Sequence, residues 1–301
     1  MHDKVLMSRM NKRLFLICLL CFVLVFSAAC GGSSGQKDSG DQSAGGSGSG
    51  TKADNTQNTE SNDKILDQIR DRGFLIAGCK MDVPDLSYYD ADTDSWSGLE
   101  VDLAYETAAR IFEVSKEDAV KKKLVHFVGV TVADREEKLE SGEVDCLFAT
   151  YTITKERAER FALSASYYTD YIGLMVRTRG DDPNAVGSSD IQSIADLDGK
   201  YIGVPRNATT REDFLNYINT MNTIQVHPIF CEYESYEVLF KALKDGNIDV
   251  MSVDVSILKG YVDNSTKILK DRFAGQNYGA AVKKENSLLV DTINQTIEEH
   301  K

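Results

Sequence analysis

Leu139-Glu-Ser-Gly142-Glu-Val-Asp145-Cys146 returns as Leu243-Lys-Asp-Gly246-Asn-Ile-Asp249-Val250, at a constant offset of 104 residues. In each copy a helical run stops at a glycine, as a left-handed C-terminal cap requires, and an apolar strand follows. The same offset sets Thr150 against Asp254 at the two strand ends. Around the copies, short apolar runs alternate with amphipathic stretches. Strands are predicted at residues 74–79, 124–130, 144–149, 171–176, 201–204, 223–229, 248–253 and 278–282. Leu99, Leu103, Ala104, Thr107, Ala108 and Ile111 recur at helical spacing, and further helices are predicted at 211–219 and 236–244. This alternation predicts an α/β fold, with open sheets covered by helices on both faces. The repeat predicts two lobes of similar design. Ligands of open α/β sheets bind beyond the carboxyl ends of the strands, so two facing ends would form a cleft.

Composition narrows the function. The chain has 301 residues, 42% hydrophobic and 27% charged, enough for about two domains and too apolar for a disordered chain. Asp and Glu number 47 against 34 Lys and Arg, a net charge of −13 that would repel a nucleic acid. No Gly-x-Ser-x-Gly, His-Glu-x-x-His, phosphate-cradling glycine loop or metal-ligand spacing occurs. His126, His227 and His300 read as structural. No cofactor, no metal and no catalytic group is expected.

The start of the chain reads as a secretion signal. Lys4, Arg9, Lys12 and Arg13 flank a 13-residue apolar run at 14–26, too short to span a bilayer comfortably. Phe26-Ser-Ala-Ala-Cys30-Gly-Gly resembles a bacterial lipoprotein box, in which the Cys receives lipid and becomes the mature N-terminus. An ordinary signal peptide with an incidental Cys30 is the alternative. With residues 1–29 removed, 30 basic and 46 acidic residues remain. Between residues 31 and 60, 14 of 30 positions are Gly or Ser, so 30–62 is expected to be a lipid anchor and flexible tether. Cys79, Cys146 and Cys231 are left over, an odd number in an oxidising compartment. Cys79 and Cys146 lie in apolar runs and read as small buried hydrophobes.

Gly98-Leu-Glu-Val-Asp102-Leu-Ala and Ala149-Thr-Tyr-Thr-Ile-Thr-Lys-Glu-Arg157 are followed by Ser166-Tyr-Tyr, Leu197-Asp-Gly-Lys-Tyr-Ile-Gly-Val204 and Ile248-Asp-Val-Met-Ser-Val-Asp254. In this order they resemble the family 3 extracellular solute-binding proteins, the amino-acid receptors of bacterial import ABC transporters. The resemblance spans about residues 64–300, with Thr107 standing where the family usually has an apolar residue. It implies a two-lobed periplasmic-binding-protein-like type II fold, two open sheets flanked by helices and joined by a two-strand hinge. Lobe 1 is expected at 63–174 with a return segment at 277–301, and lobe 2 at 177–275. Relatives usually carry a further helix beyond the position of Lys301. The implied protein is a monomeric receptor outside the cytoplasm, held to the membrane by lipid alone. It passes a free amino acid to a permease and its ATPase. A small-acid dehydratase on the same scaffold and a signalling input domain are the rival classes.

The residues of the strand ends agree with this. Thr154 is a plausible N-cap, so Arg157 in the first helical turn leans back toward Thr150 and Thr152. A planar guanidinium can hold a carboxylate through two parallel bonds. The resemblance implies that Arg157 grips the ligand α-carboxylate with help from Thr152; a solvated helix-face Arg is the alternative. Thr209-Thr210-Arg-Glu212 reads as a capping box whose free N–H groups suit the other side of that carboxylate. The family often has Gly where Asn207 stands, and Asn is expected to stiffen this loop. Asp254 is implied as the partner of the α-ammonium, unless it merely caps the following helix. Lys80 with Arg135 resembles the glutamate/aspartate-binding branch, in which Tyr278 matches a ligand-contacting Tyr. Arg157, Arg135, Lys80 and Asp254 sum to +2, which suits an acidic amino acid. If Asp82 or Asp134 neutralises these cations locally, a neutral polar ligand such as glutamine is the alternative.

Overall fold

The computed structural model describes residues 56–178, 189–221 and 225–300, with side chains from Lys64 onward. The signal segment, Cys30 and residues 31–55 of the expected tether lie outside the described residues. The rest of that tether is helical, because α1 (Thr56–Arg72) begins inside it. This helix is anchored further along by Ile65, Leu66 and Ile69, which pack into the first core.

From α1 the chain enters β1 (Leu75–Cys79) and a small sheet of β2 (Asp82–Val83), β3 (Ser87–Asp90) and β4 (Ser95–Ser97). It continues through α2 (Leu99–Ile111), α3 (Lys116–Lys121), β5 (Val125–Gly129), α4 (Arg135–Ser141), β6 (Cys146–Phe148), α5 (Lys155–Arg160) and β7 (Phe161–Leu163). The second half runs β8 (Tyr168–Arg177), β9 (Tyr201–Pro205), α6 (Thr210–Thr220), β10 (Ile229–Tyr233), α7 (Tyr236–Lys244), β11 (Val250–Asp254), α8 (Val255–Tyr261), β12 (Thr266–Ile268) and β13 (Phe273–Tyr278). Then β14 (Ala281–Lys283) and α9 (Ser287–His300) return to the first half. One sheet has the order β5-β1-β6-β14-β7, the other β10-β9-β11-β8-β12, with β13 also paired to β8.

The repeat is a shared bonding unit. Gly142 and Gly246 end their helices at φ 82° and 79°, where a side chain would be strained. Asp145 then clasps β1, its N–H donating to Ile76 O at 2.9 Å while its Oδ2 accepts from Ile76 N at 2.8 Å. Asp249 clasps β9 in the same way, through Tyr201 O at 2.8 Å and Tyr201 N at 2.9 Å. β6 lies parallel to β1, and β11 parallel to β9. The apolar face of α2 (Leu103, Ala104, Ala108, Ile111) packs with β1 and α9 in the first core. Thr107 is fully buried on α2, its hydroxyl unpaired. In the second half Phe214 and Ile218 of α6 pack with β8 and β9, and Leu239 and Leu243 of α7 pack with β11.

Three expected boundaries shift. The run 278–282 is two strands in different sheets, broken at residues 279–280 where the chain crosses back. The outward crossing falls at 164–167, ahead of the expected 174–177, because β8 runs unbroken along β11 and β13. The two crossing segments bond side by side, Ser164 N to Ala280 O at 2.9 Å and Tyr167 N to Tyr278 O at 3.0 Å. The strand expected at 223–229 starts only at Ile229, where parallel pairing with Tyr201 begins; Val226, ahead of it, is buried in the core of the second half instead. Cys79, Cys146 and Cys231 are free thiols, and burial pushes the first two above their usual range. No helix among the described residues is long and apolar enough to cross a membrane.

Candidate functional site

The loop after β6 turns at Thr150, whose φ of 46° is a left-handed conformation that disfavours a β-branched residue. Such a turn costs on the order of 1–3 kcal/mol unless its surroundings hold it. Here Glu100, at the start of α2, accepts from Thr150 N at 2.6 Å. Arg135, at the start of α4, donates through Nη1 to Ala149 O at 2.7 Å and Thr150 O at 3.3 Å. The Thr154 hydroxyl caps α5 by accepting from Arg157 N at 3.2 Å, as expected. Arg157 then leans back, and its Nη1 donates to Thr152 O at 2.8 Å.

The facing wall comes from the other sheet. After β9 the chain turns at Asn207, whose φ of 60° is a left-handed conformation that Asn tolerates. The two walls touch: Arg157 Nη2 donates to Asn207 O and Asn207 Nδ2 to Ala133 O, both at 3.3 Å. The Thr152 and Thr209 hydroxyls both donate to Gln276 Oε1, at 2.9 and 3.0 Å. The capping box is therefore not formed. Thr209 already has helical φ/ψ and makes no side-chain cap, its hydroxyl being drawn to Gln276.

Arg135, Thr150, Thr152, Arg157, Thr209, Thr210 and Asp254 line one pocket of about 10 Å³ between the walls. That is about the room one water molecule needs, so the walls are closed on each other here. Arg135 and Arg157 are both buried, and burial with the nearby Arg135 charge lowers Arg157 to about 10. Asp254 stands at the N-cap position of α8 without capping it. That role falls to Asp170, whose Oδ2 accepts from Ser256 N at 2.9 Å. The Asp254 carboxylate instead accepts from the Tyr278 hydroxyl, and burial pushes it up to about 7, with Asp170 adding to the shift and Tyr278 and Arg135 opposing it.

Two expected site residues stand one layer back. Tyr278 is fully buried and its hydroxyl is committed to Asp254. Lys80 lies with its ammonium 4.5 Å from the centre of the Tyr236 ring and ion-paired to Asp82 at 3.2 Å, so one of the local neutralisations weighed above is present. Asp134 is not paired to Arg135; it accepts from Thr131 N at 2.7 Å. Sequence reasoning passed over Glu100, Asp170, Tyr236 and Gln276. Gln276 was within reach of it, because strand alternation puts it on the same face as Tyr278. A larger open depression beside α2 and α9 is lined by groups that satisfy one another, such as Lys116 with Glu106 at 2.9 Å.

Two sheets joined by paired crossing segments, with a polar pocket between their strand ends, define a two-lobed solute-binding fold. The chain belongs to the bacterial extracellular solute-binding proteins, family 3, whose profile matches residues 75–301. The glutamate-binding protein GluB of Corynebacterium efficiens is 27% identical over 248 residues, 80% of this chain and 78% of that one. The ABC transporter glutamine-binding protein GlnH of Bacillus subtilis is 26% identical over 294 residues, 96% and 93% of the two chains. The arginine-bound form of truncated ArgBP from T. maritima superposes with a TM-score of 0.63 at 26% identity, covering 78% of this chain and all of that one. Membership makes the protein a solute-binding protein rather than an enzyme and places it outside the cytoplasm.

Proposed function

We propose that the protein is a lipid-anchored receptor that closes as a monomer on one free amino acid, glutamate or aspartate, and delivers it to the permease of an ABC importer. Arg157 and Thr152 hold the α-carboxylate from one wall, and the backbone N–H groups at Thr209 and Thr210 hold it from the other. Asp254 takes the α-ammonium, and Tyr278 fixes Asp254. Arg135 receives the side-chain carboxylate, with Lys80 adding positive field from behind Tyr236. Cys30 carries the lipid. The two lobes, between which the chain crosses at 164–167 and 279–280, move about these crossing segments.

The observation that carries the acidic ligand is Arg135. It is 2% exposed, has no carboxylate within 4.0 Å among the described residues, and its Nε has no partner. A buried cation is costly unless an anion meets it, and a second carboxylate on the ligand would do so. Arginine would bring a further cation against Arg135. Glutamine is the second reading, favoured by the Lys80–Asp82 pair, which removes one cation from the count.

Titration calorimetry tests this. Glutamate or aspartate is expected to bind at least about tenfold tighter than glutamine or asparagine, a difference of roughly 1.4 kcal/mol. Arg135→Met is expected to erase the preference. Equal or tighter binding of glutamine by the unmodified protein would refute the acidic assignment.

A further inference from the structure

Thr150 and Thr152 face the pocket, and between them Tyr151 turns into the core behind it, with no exposed surface. Both pocket arginines meet its ring. The guanidinium carbon of Arg157 lies over it at 4.1 Å from the ring centre, and that of Arg135 at 4.8 Å. The Tyr151 hydroxyl donates to Glu136 Oε1 at 2.9 Å. Glu136 in turn lies 3.6 Å from Arg157 Nε and pairs with Arg160. Phe161 packs edge-on against the ring at 6.3 Å, which holds its plane.

This arrangement solves a problem that two buried like charges create. Left to themselves, two guanidinium groups in one small pocket would move apart and swing toward water. An aromatic face attracts both without neutralising either, so their N–H groups remain available to an anion. A carboxylate in the same place would hold them too, but it would compete with the ligand. The neighbouring carboxylate, Glu136, is drawn to the tyrosine hydroxyl and Arg160.

We propose that Tyr151 is a positioning residue that sets the spacing of Arg157 and Arg135 and so shapes the anion site. This rests on the reading above, in which those two arginines contact the ligand. The test is titration with L-glutamate and L-glutamine of wild type, Tyr151→Met, Tyr151→Phe and Arg157→Met. Tyr151→Met keeps an apolar side chain in the core but removes the aromatic face. It is expected to lower L-glutamate affinity at least about tenfold and to narrow the glutamate-over-glutamine ratio. Tyr151→Phe, which returns the ring, is expected to recover most of both. A purely packing role would spare the ratio in Tyr151→Met.

Undiminished glutamate binding and an unchanged ratio in Tyr151→Met, with binding lost in Arg157→Met, would overturn the inference alone. Full binding in Arg157→Met would overturn the underlying reading, and the inference with it. Should Tyr151→Met fail to fold, the glutamate-saturated wild type still decides. The Nε–H resonances of Arg135 and Arg157 are expected to show upfield ring-current shifts, and their absence from both would refute the positioning role.

Discussion

Asp254 makes empty closure depend on pH. In the closed cleft its carboxyl is pushed from 3.8 to about 7 by burial. When the lobes part, water reaches the carboxylate and its pKa returns toward 3.8. The closed empty form therefore binds more protons than the open one, and its stability falls as pH rises between those values. At about 1.36 kcal/mol per unit the full penalty above neutrality is about 4 kcal/mol, and by about pH 5 it has shrunk to under 2 kcal/mol. Between about pH 8 and about pH 5 the closed-to-open ratio of the empty protein should rise on the order of 100-fold, a change of about 3 kcal/mol. A fluorophore pair at the exposed positions Tyr88, on the first lobe, and Val238, on the second, reports the ratio by energy transfer. Asp254→Asn should flatten the profile, since an amide has no proton to gain. A flat profile in the wild type, or an equal slope in Asp254→Asn, would refute the linkage.

Arg157→Ala should weaken every amino acid tested by about 30- to 4,000-fold, the cost of roughly 2–5 kcal/mol for truncating one partner of a buried charge pair; calorimetry reads it directly. Gly260→Ala should oppose closure, because a Cβ there would lie 2.6 Å from Pro84 Cδ across the two lobes. Its signature is weaker binding of all ligands by one common factor with an unchanged thermal midpoint. Cys30→Ser should move the protein from the membrane fraction to the soluble one while calorimetry shows unaltered binding; retention in the membrane would remove the lipid anchor.

What could be read in advance follows from the range of the forces involved. The eight-residue repeat was legible because it is local: a left-handed glycine and a clasping Asp sit within four residues of each other. The N-cap at Thr154 and the backward lean of Arg157 were legible for the same reason. The break between Tyr278 and Ala281 was not. An apolar run looks the same whether it stays in one sheet or crosses to another, and it is the Ser164–Ala280 and Tyr167–Tyr278 pairings, across more than 100 positions, that mark the change. The failed capping box at Thr209 has a similar cause, since the pattern is local and its competitor Gln276 lies 67 residues away. Glu100 stands inside the Gly98–Ala104 motif, yet its part in holding Thr150 depends on a contact across 50 positions.

The similar design of the two halves also explains why the site has two unlike poles. Thr150 and Asp254 occupy equivalent places after equivalent clasps, yet their backbones diverge, φ 46° at Thr150 against −64° at Asp254. The left-handed turn at Thr150 leaves its wall to the donors, with Arg135 bound to the turn's own carbonyls and Arg157 beside it. The extended backbone at Asp254 carries its carboxylate into the pocket, and Asp170 supplies the helix with the acceptor that Asp254 withholds. One wall thus presents cations and the other an anion. A zwitterion placed between them matches each wall only when both are present, so its binding favours the closed form over the open one.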